Sequence, residues 1–430
     1  MNRLIGTFAL TAMLLTGCGD DGATSAPREA EGEAPAGTTI AGSWRAVLSS
    51  PGGELPFELV IGDDQASGYV LNGEEQVPFG TVVRNGSELV MSYPWYDSEI
   101  TAELSDDGSV MRGRWRKTHE GGKDSALPFS ATRGMAIRFL PLASSGSDDP
   151  PASIDGAWRV EFSDEDGTEP ARGEFVQVGQ AVTGTFLTPT GDYRFLAGSF
   201  EENRLRLSAF DGAHVFLFDA RLDEEGTLSG DFWSRETYHA TWEASRADEG
   251  EEILPDAWEQ VSLNSDSNQI DFEFQNLVGE TVSLKDPRFE GKVVLVNLFG
   301  SWCPNCNDEA PLLSRWYRER RDEGLEIVGL AFEFTGDVER DRVMIGRFRD
   351  RHEIEYELLL AGVNDKEEAA ATLCFLDKVV AYPTTLFLDR DHQVQRIHSG
   401  FAGPGTGEFH TEMLKELQAE LDRLLAEPTI

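Results

Sequence analysis

The stretch Val293-Val294-Leu295-Val296-Asn297-Leu298-Phe299 runs straight into Gly300-Ser301-Trp302-Cys303-Pro304-Asn305-Cys306. A short continuous apolar run of this kind reads as a strand buried on both faces. A helical stretch follows, up to a stop at Gly324. Working outward, Glu326 to Phe332 reads as a second buried strand and Asp337 to His352 as a helix. Tyr356 to Leu360 reads as a strand and Lys366 to Leu376 as a helix. Thr384 to Leu388 and Val394 to His398 read as strands flanking a turn at Asp389-Arg390-Asp391-His392, and Glu408 to Ala426 as a final amphipathic helix. Strands alternating with helices make residues 269–427 an α/β layered domain.

Strand, Trp-Cys-x-x-Cys, helix is an arrangement that makes a thiol reactive. A helix N-terminus carries roughly half a positive charge and unpaired N–H groups, which stabilise a thiolate. Cys303 is expected at that N-terminus as the exposed attacking sulfur, and Cys306, one turn inside, as the buried resolving thiol. A zinc site would need two further ligands, and the usual second pair is missing, so no metal is expected. The expected redox centre is the Cys303–Cys306 pair itself, with no separate cofactor.

These residues carry a resemblance. Residues 270–427 are similar to the TlpA/ResA-like group of thioredoxin-fold thiol–disulfide oxidoreductases. Asp271-Phe272-Glu273-Phe274 with Gly279 and Val282-Ser283-Leu284 resembles that group's opening hairpin, and Cys306-Asn307-Asp308-Glu309-Ala310-Pro311 its Cys-x-x-Glu-x-Pro continuation. The resemblance implies that Glu309 lies beneath the cysteines and handles the resolving thiol's proton, and that Pro311 kinks the active-site helix. Tyr382-Pro383-Thr384-Thr385 matches the group's cis-proline turn, which places Pro383 and Thr384 against the cysteines. Trp302 and the Pro304-Asn305 dipeptide complete the motif, the dipeptide tuning the redox potential. Cys306 and Pro383 stand 77 residues apart, which implies a helical insertion around 337–378. Glu333, at the end of a central strand, is a second candidate carboxylate. Cys374, among Leu373, Phe375 and Leu376, reads as a buried inert thiol.

Residues 1–18 begin with a positive charge at Arg3 and continue with a short apolar run from Leu4 to Leu15. That run is too short to span a bilayer of ~30 Å as a helix. It ends Leu15-Thr16-Gly17-Cys18, which resembles the bacterial lipobox and implies cleavage before Cys18 and its acylation. The expected location is the bacterial cell envelope, lipid-anchored and facing the periplasm. Gly19 after the cysteine hints at outer-membrane sorting, with the inner membrane left open. Residues 19–39 read as a flexible acidic tether.

Between tether and C-terminal domain lie two similar segments. Ile40-Ala41-Gly42-Ser43-Trp44-Arg45 is matched by Ile154-Asp155-Gly156-Ala157-Trp158-Arg159, 114 residues on, and later matches keep their order. Apolar–polar alternation, broken at Asn72-Gly73, Asn85-Gly86 and Asp107-Gly108, reads as antiparallel hairpins. Residues 40–140 and 154–247 are therefore expected to be duplicated all-β modules, forming two small barrels or two halves of one assembly. Their Gly-x-Trp openings weakly resemble lipocalin- and avidin-like barrels. His119, His214 and His239 read as isolated. Tyr93-Pro94-Trp95-Tyr96-Asp97 reads as packing, with an exposed aromatic patch as the alternative. Ala143 to Pro151 links the copies, and residues 248–268 read as an acidic linker holding them away from the C-terminal domain.

The 430 residues carry 77 Asp and Glu against 37 Lys and Arg, a formal charge of −40. Such a chain is repelled by nucleic acid and by anionic lipid. Four cysteines are too few for a disulfide scaffold. The expected function is an extracytoplasmic thiol–disulfide oxidoreductase acting on protein or small-molecule disulfides, recharged by a membrane-bound thiol donor if it works reductively. Two alternatives remain open at this point. One is an envelope ligand- or protein-binding lipoprotein with an accessory redox domain. The other is a thiol peroxidase, although no cysteine here has the Pro-x-x-x-Thr/Ser-x-x-Cys lead of the peroxiredoxins.

Overall fold

The computed structural model describes residues 39–118, 124–134, 137–142, 152–264 and 267–428. The leader, Cys18, nearly all of the tether, His119 and the Ala143 to Pro151 linker lie outside the described residues. Among the described residues, no helix is long and apolar enough to cross a membrane.

The opening motif of each β segment is a plug. Trp44 is fully buried, its indole N–H donates to the Ile40 carbonyl at 3.0 Å, and Arg133 of the last strand lies 5.2 Å over its ring. Trp158 repeats this with the Ile154 carbonyl at 2.9 Å and Arg246 at 4.2 Å. The Ile40 N–H donates to the Gln65 side chain at 3.0 Å, as the Ile154 N–H does to Gln177 at 2.8 Å. An aromatic core, one cation–π contact and one side-chain cap therefore recur in both copies.

Each segment forms a nine-stranded antiparallel sheet whose first strand (Gly42–Ser50; Gly156–Asp164) pairs with its last (Asp124–Arg133; Tyr238–Arg246). The second sheet closes into a barrel, because Ala181–Thr188 pairs with Gly167–Val178 on one side and with Leu196–Glu201 on the other. The first stays open between its edge strands Glu75–Pro78 and Thr81–Asn85. An open sheet leaves part of its core to be covered by something else. Here the barrel's hairpin, Arg204–Phe210 and Val215–Leu222, supplies the cover. Phe210 is 0% exposed and lies 4.6 Å from Phe57 and 6.0 Å from both Tyr93 and Trp115, centroid to centroid. Asn72 clamps its backbone, donating to the Phe210 carbonyl at 2.8 Å and accepting its N–H at 3.2 Å. The duplication has thus diverged into one barrel and one open sheet that borrows the barrel's hairpin.

The C-terminal domain is a seven-stranded mixed sheet. Its order is Thr281–Ser283, Glu273–Asn276, Glu357–Val363, Leu325–Glu333, Val293–Phe299, Thr384–Leu388 and Val394–Ser399. All seven residues of Val293–Phe299 are buried, as a strand with neighbours on both sides and helices on both faces must be. Helices α1 (Pro304–Arg320), α2 (Val338–Arg351), α3 (Lys366–Thr372) and α4 (Glu408–Leu425) follow in chain order. The insertion expected around 337–378 is α2, strand Glu357–Val363 and α3.

Two expectations are corrected. Residues 248–268 do not hold the modules away. The Ala257 carbonyl accepts the Ser399 N–H at 2.9 Å, Trp258 packs 4.7 Å from His398, and Val261 is buried in the C-terminal core. The apolar residues in this stretch outweigh its charge. Next, α3 stops at Thr372, and Cys374 is exposed in the turn beyond it, because Leu373 and Leu376 occupy the buried positions. The Tyr93–Asp97 segment packs, as expected: Asp97 pairs with Arg340 at 2.6 Å, Arg347 donates to the Pro94 carbonyl at 2.8 Å, and Arg351 lies 4.2 Å over Trp95. His214 and His239 each meet an aspartate at 2.8 Å, Asp211 and Asp231 respectively.

Truncating Phe210 removes a side chain that two modules share. Phe210→Ala is expected to cost about 3–5 kcal/mol, read as a lowered urea midpoint. A loss below about 1 kcal/mol would show that the open sheet does not depend on the hairpin.

Candidate active site

The buried strand Val293–Phe299 delivers the chain to a tight turn, and the turn opens α1. Cys303 is the N-cap residue and Pro304 takes the first helical position, where a missing N–H costs nothing. The Cys306 N–H donates to Cys303 Sγ at 3.2 Å, and the Cys303 thiol donates to the Tyr382 carbonyl at 3.2 Å. The Tyr382–Pro383 bond is cis, and Thr384 Oγ1 fixes this turn by donating to the Ala381 carbonyl at 2.8 Å. Cys303, Cys306 and the Pro383 turn are therefore brought together. Trp302 flanks them, its ring 5.8 Å from Tyr382 and its N–H donating to the Phe332 carbonyl at 2.9 Å.

Cys303 departs from expectation in one respect. It is 3% exposed rather than open to solvent, and Asn305 beside it is 6% exposed. A helix N-terminus at a sheet edge is ordinarily open; here the second β module lies against it. The Asn305 amide donates to Asp192 Oδ2 at 2.9 Å.

Glu309 is buried one helical turn below the cysteines. Its carboxylate accepts from Asn297 Nδ2 at 2.7 Å and Thr385 Oγ1 at 3.0 Å. Burial pushes its pKa up to about 7 against the opposing pull of those two hydrogen bonds. Burial, then the hydrogen bond with Cys303, raises the Cys306 thiol well above its ordinary value, and the Glu309 charge adds to the shift. Glu333 is buried at its strand end and also raised to about 7, chiefly by burial. It does not reach toward the thiols. It accepts the Ser301 N–H and hydroxyl, both at 2.7 Å, bracing the turn that carries Cys303.

The segment 267–397 matches the profile of the AhpC/TSA family. The Thioredoxin-like protein YneN of Bacillus subtilis (strain 168) is 29% identical over 163 residues, covering 38% of this chain and 82% of that protein. The Thiol-disulfide oxidoreductase ResA of Halalkalibacterium halodurans is 25% identical over 151 residues, covering 34% and 74%. The C-terminal domain is a thioredoxin-like thiol–disulfide oxidoreductase domain. Among solved structures, a thiol-disulfide oxidoreductase from Bacteroides fragilis NCTC 9343 matches at 21% identity and a TM-score of 0.27, over 35% of this chain and 98% of its own.

Several residues of the oxidoreductase domain's site were missed by sequence reasoning. Asn297 was readable as the lone polar residue in a buried run, and Thr385 as the neighbour of the proline turn. Asn307 donates to the Cys303 carbonyl at 2.8 Å and receives His352 Nε2 at 2.8 Å, but nothing in the sequence joins residues 307 and 352. Asp192 and Arg194 come from another module, marked only by the turn signal Thr188-Pro189-Thr190-Gly191-Asp192.

The buried Glu309 makes stability depend on pH with a definite sign. Its pKa is near 4.5 when unfolded and about 7 when folded, so between those values the folded chain holds a proton that the unfolded chain has lost. The contribution is fully present below about pH 4.5 and lost as pH rises through about 7. Removing that proton site with Glu309→Gln is expected to flatten the stability–pH curve by about 1.4 kcal/mol per pH unit across the window. Urea denaturation of both chains at several pH values measures the difference; parallel curves would show that Glu309 titrates as an open carboxyl.

Proposed function

We propose that the protein is a membrane-anchored, extracytoplasmic oxidoreductase that reduces protein disulfides through Cys303 and Cys306. The observation that supports this best is the Cys303–Cys306 pair at the α1 N-terminus, with the Pro383 turn against it and buried Glu309 beneath. The Cys303 thiolate attacks a substrate disulfide, forming a Cys303–substrate bond and releasing one substrate thiolate. Cys306 then gives its proton to Glu309, attacks Cys303 Sγ and releases the second substrate thiolate, leaving the Cys303–Cys306 disulfide. A base near neutrality suits that transfer. A membrane-bound thiol donor returns the pair to the dithiol. Trp302, Pro304, Asn305 and Thr384 shape the surroundings, and Glu333 holds the turn.

Cys303→Ser is expected to abolish reduction of a protein disulfide, and Cys306→Ser to accumulate mixed disulfides with partners on non-reducing gels. Cys374→Ser should leave the rate unchanged. Full activity of Cys303→Ser would overturn the reading. An equilibrium titration against glutathione tests direction: a potential near about −270 mV supports a reductant, and one near about −120 mV an oxidant.

The anchor rests on the leader and the Leu15-Thr16-Gly17-Cys18 motif. The wild-type chain, expressed in a bacterium, is expected in the membrane fraction and labelled by a radioactive fatty acid, with both lost on Cys18→Ala. Unlabelled wild-type protein in the soluble fraction would refute anchoring.

A further inference from the structure

We propose that the turn Thr188–Arg194 of the second β module is a latch that closes over the Cys303–Cys306 dithiol and must lift before Cys303 meets a disulfide. The turn contacts residues that flank the attacking sulfur. On one side, Asp192 Oδ2 accepts from the Asn305 amide at 2.9 Å and from the Gly403 N–H. Gly191 lies so close that a Cβ there would stand 2.3 Å from Asn305 Oδ1. On the other side, the Pro189 carbonyl packs on Gly400, whose N–H donates to the Pro383 carbonyl at 2.8 Å. The turn therefore rests on the dipeptide between the cysteines and on the neighbour of the cis-proline turn. Cys303, between them, is 3% exposed. A thiolate so enclosed cannot align with an incoming sulfur–sulfur bond.

Tyr193 anchors the turn in the barrel's aromatic core, but the contacts that hold the turn to α1 are polar. Arg194 Nη1 meets Asp308 Oδ2 at 2.9 Å and the Pro304 carbonyl at 3.4 Å, both on α1. Buried ion pairs specify position more than they add net stability over apolar packing. Behind the turn lies a cleft of about 260 Å³ bounded by Pro189, Gly191, Trp258, Gly400, Phe401 and Met413, so packing there is incomplete. The joint between the two β modules is different, being sealed by Phe210 in a continuous apolar core. Between-domain contacts of the first kind are the ones that open.

The consequence for substrate access rests on the oxidoreductase reading, but the test does not. The full chain carrying Cys374→Ser is reduced, freed of reductant and alkylated with iodoacetamide, and the Cys303 peptide is followed by mass spectrometry. Two variants loosen the turn without removing charge from α1. Asp192→Asn takes away one acceptor, and Gly403→Ala places a Cβ 2.7 Å from Asp192 Oδ2. Alkylation of Cys303 is expected to be slow in the parent and about tenfold or more faster in each variant, the shift that loss of one hydrogen bond to a charged group produces. Circular dichroism confirms that both variants are folded, and Gly403→Ala, on a different domain, stands in if Asp192→Asn is not. Equal alkylation rates in parent and folded variants would overturn the latch. An active Cys303→Ser chain would instead overturn the oxidoreductase reading and leave the alkylation result standing.

Discussion

One guanidinium meets a carboxylate from each part of the structure. Arg194 of the barrel contacts Glu75 of the open sheet, Asp211 of its own barrel at 3.7 Å and Asp308 of α1 at 2.9 Å. Removing one partner from a buried cluster of this kind costs about 3–5 kcal/mol, because the remaining charges stay desolvated. Burial already pushes the Asp308 carboxyl up to about 7, against the pull of Arg194. Arg194 sits at φ 59°, a left-handed backbone that most residues avoid, with its N–H bonded to the Asp192 side chain at 2.6 Å. The same short turn thus supplies the bridge between three domains and the cover of the active site.

The chemistry depends on burial in a second way. The strand Val293–Phe299 is apolar on both faces, so the turn after it must emerge at the sheet's end, where α1 begins and its N–H groups point at Cys303. The carboxyls Glu309 and Glu333 are carried into that low-dielectric layer and held near neutrality. They do different work. Glu309 faces the resolving thiol's surroundings through Asn297 and Thr385, whereas Glu333 is spent on Ser301. Position relative to a sheet, more than residue type, separates a carboxyl beneath the cysteines from a brace of the turn.

Much of the C-terminal domain was legible because its signals are local. Seven buried residues in a row, a Trp-Cys-x-x-Cys motif and a helix after Pro304 lie within one short stretch, and each pattern reports its own geometry. Cys374 was misread because helix end and helix face trade off over one or two residues. The acidic stretch at 248–268 was misread because charge is counted along the chain while burial is decided by a few residues such as Trp258. In the β region, the duplication was readable from Trp44 and Trp158. Which copy would close was not, since closure depends on Ala181–Thr188 pairing with Leu196–Glu201, whereas the corresponding strands of the first copy, Gly68–Asn72 and Thr81–Asn85, stay unpaired with each other.

By itself, the amino-acid sequence determined the α/β character of the C-terminal domain, the cysteine pair on a helix N-terminus, the proline turn, and the duplicated Trp plugs. All of these are set by residues near one another in the chain, through periodicity, backbone restriction and side-chain chemistry. Only the tertiary structure decided that Phe210 completes the neighbouring module's core, that Arg194 joins three domains, and that Asp192 holds Asn305 beside a buried Cys303. Those contacts join residues more than 100 positions apart, and their sign, open or closed, follows from which surfaces exclude water together.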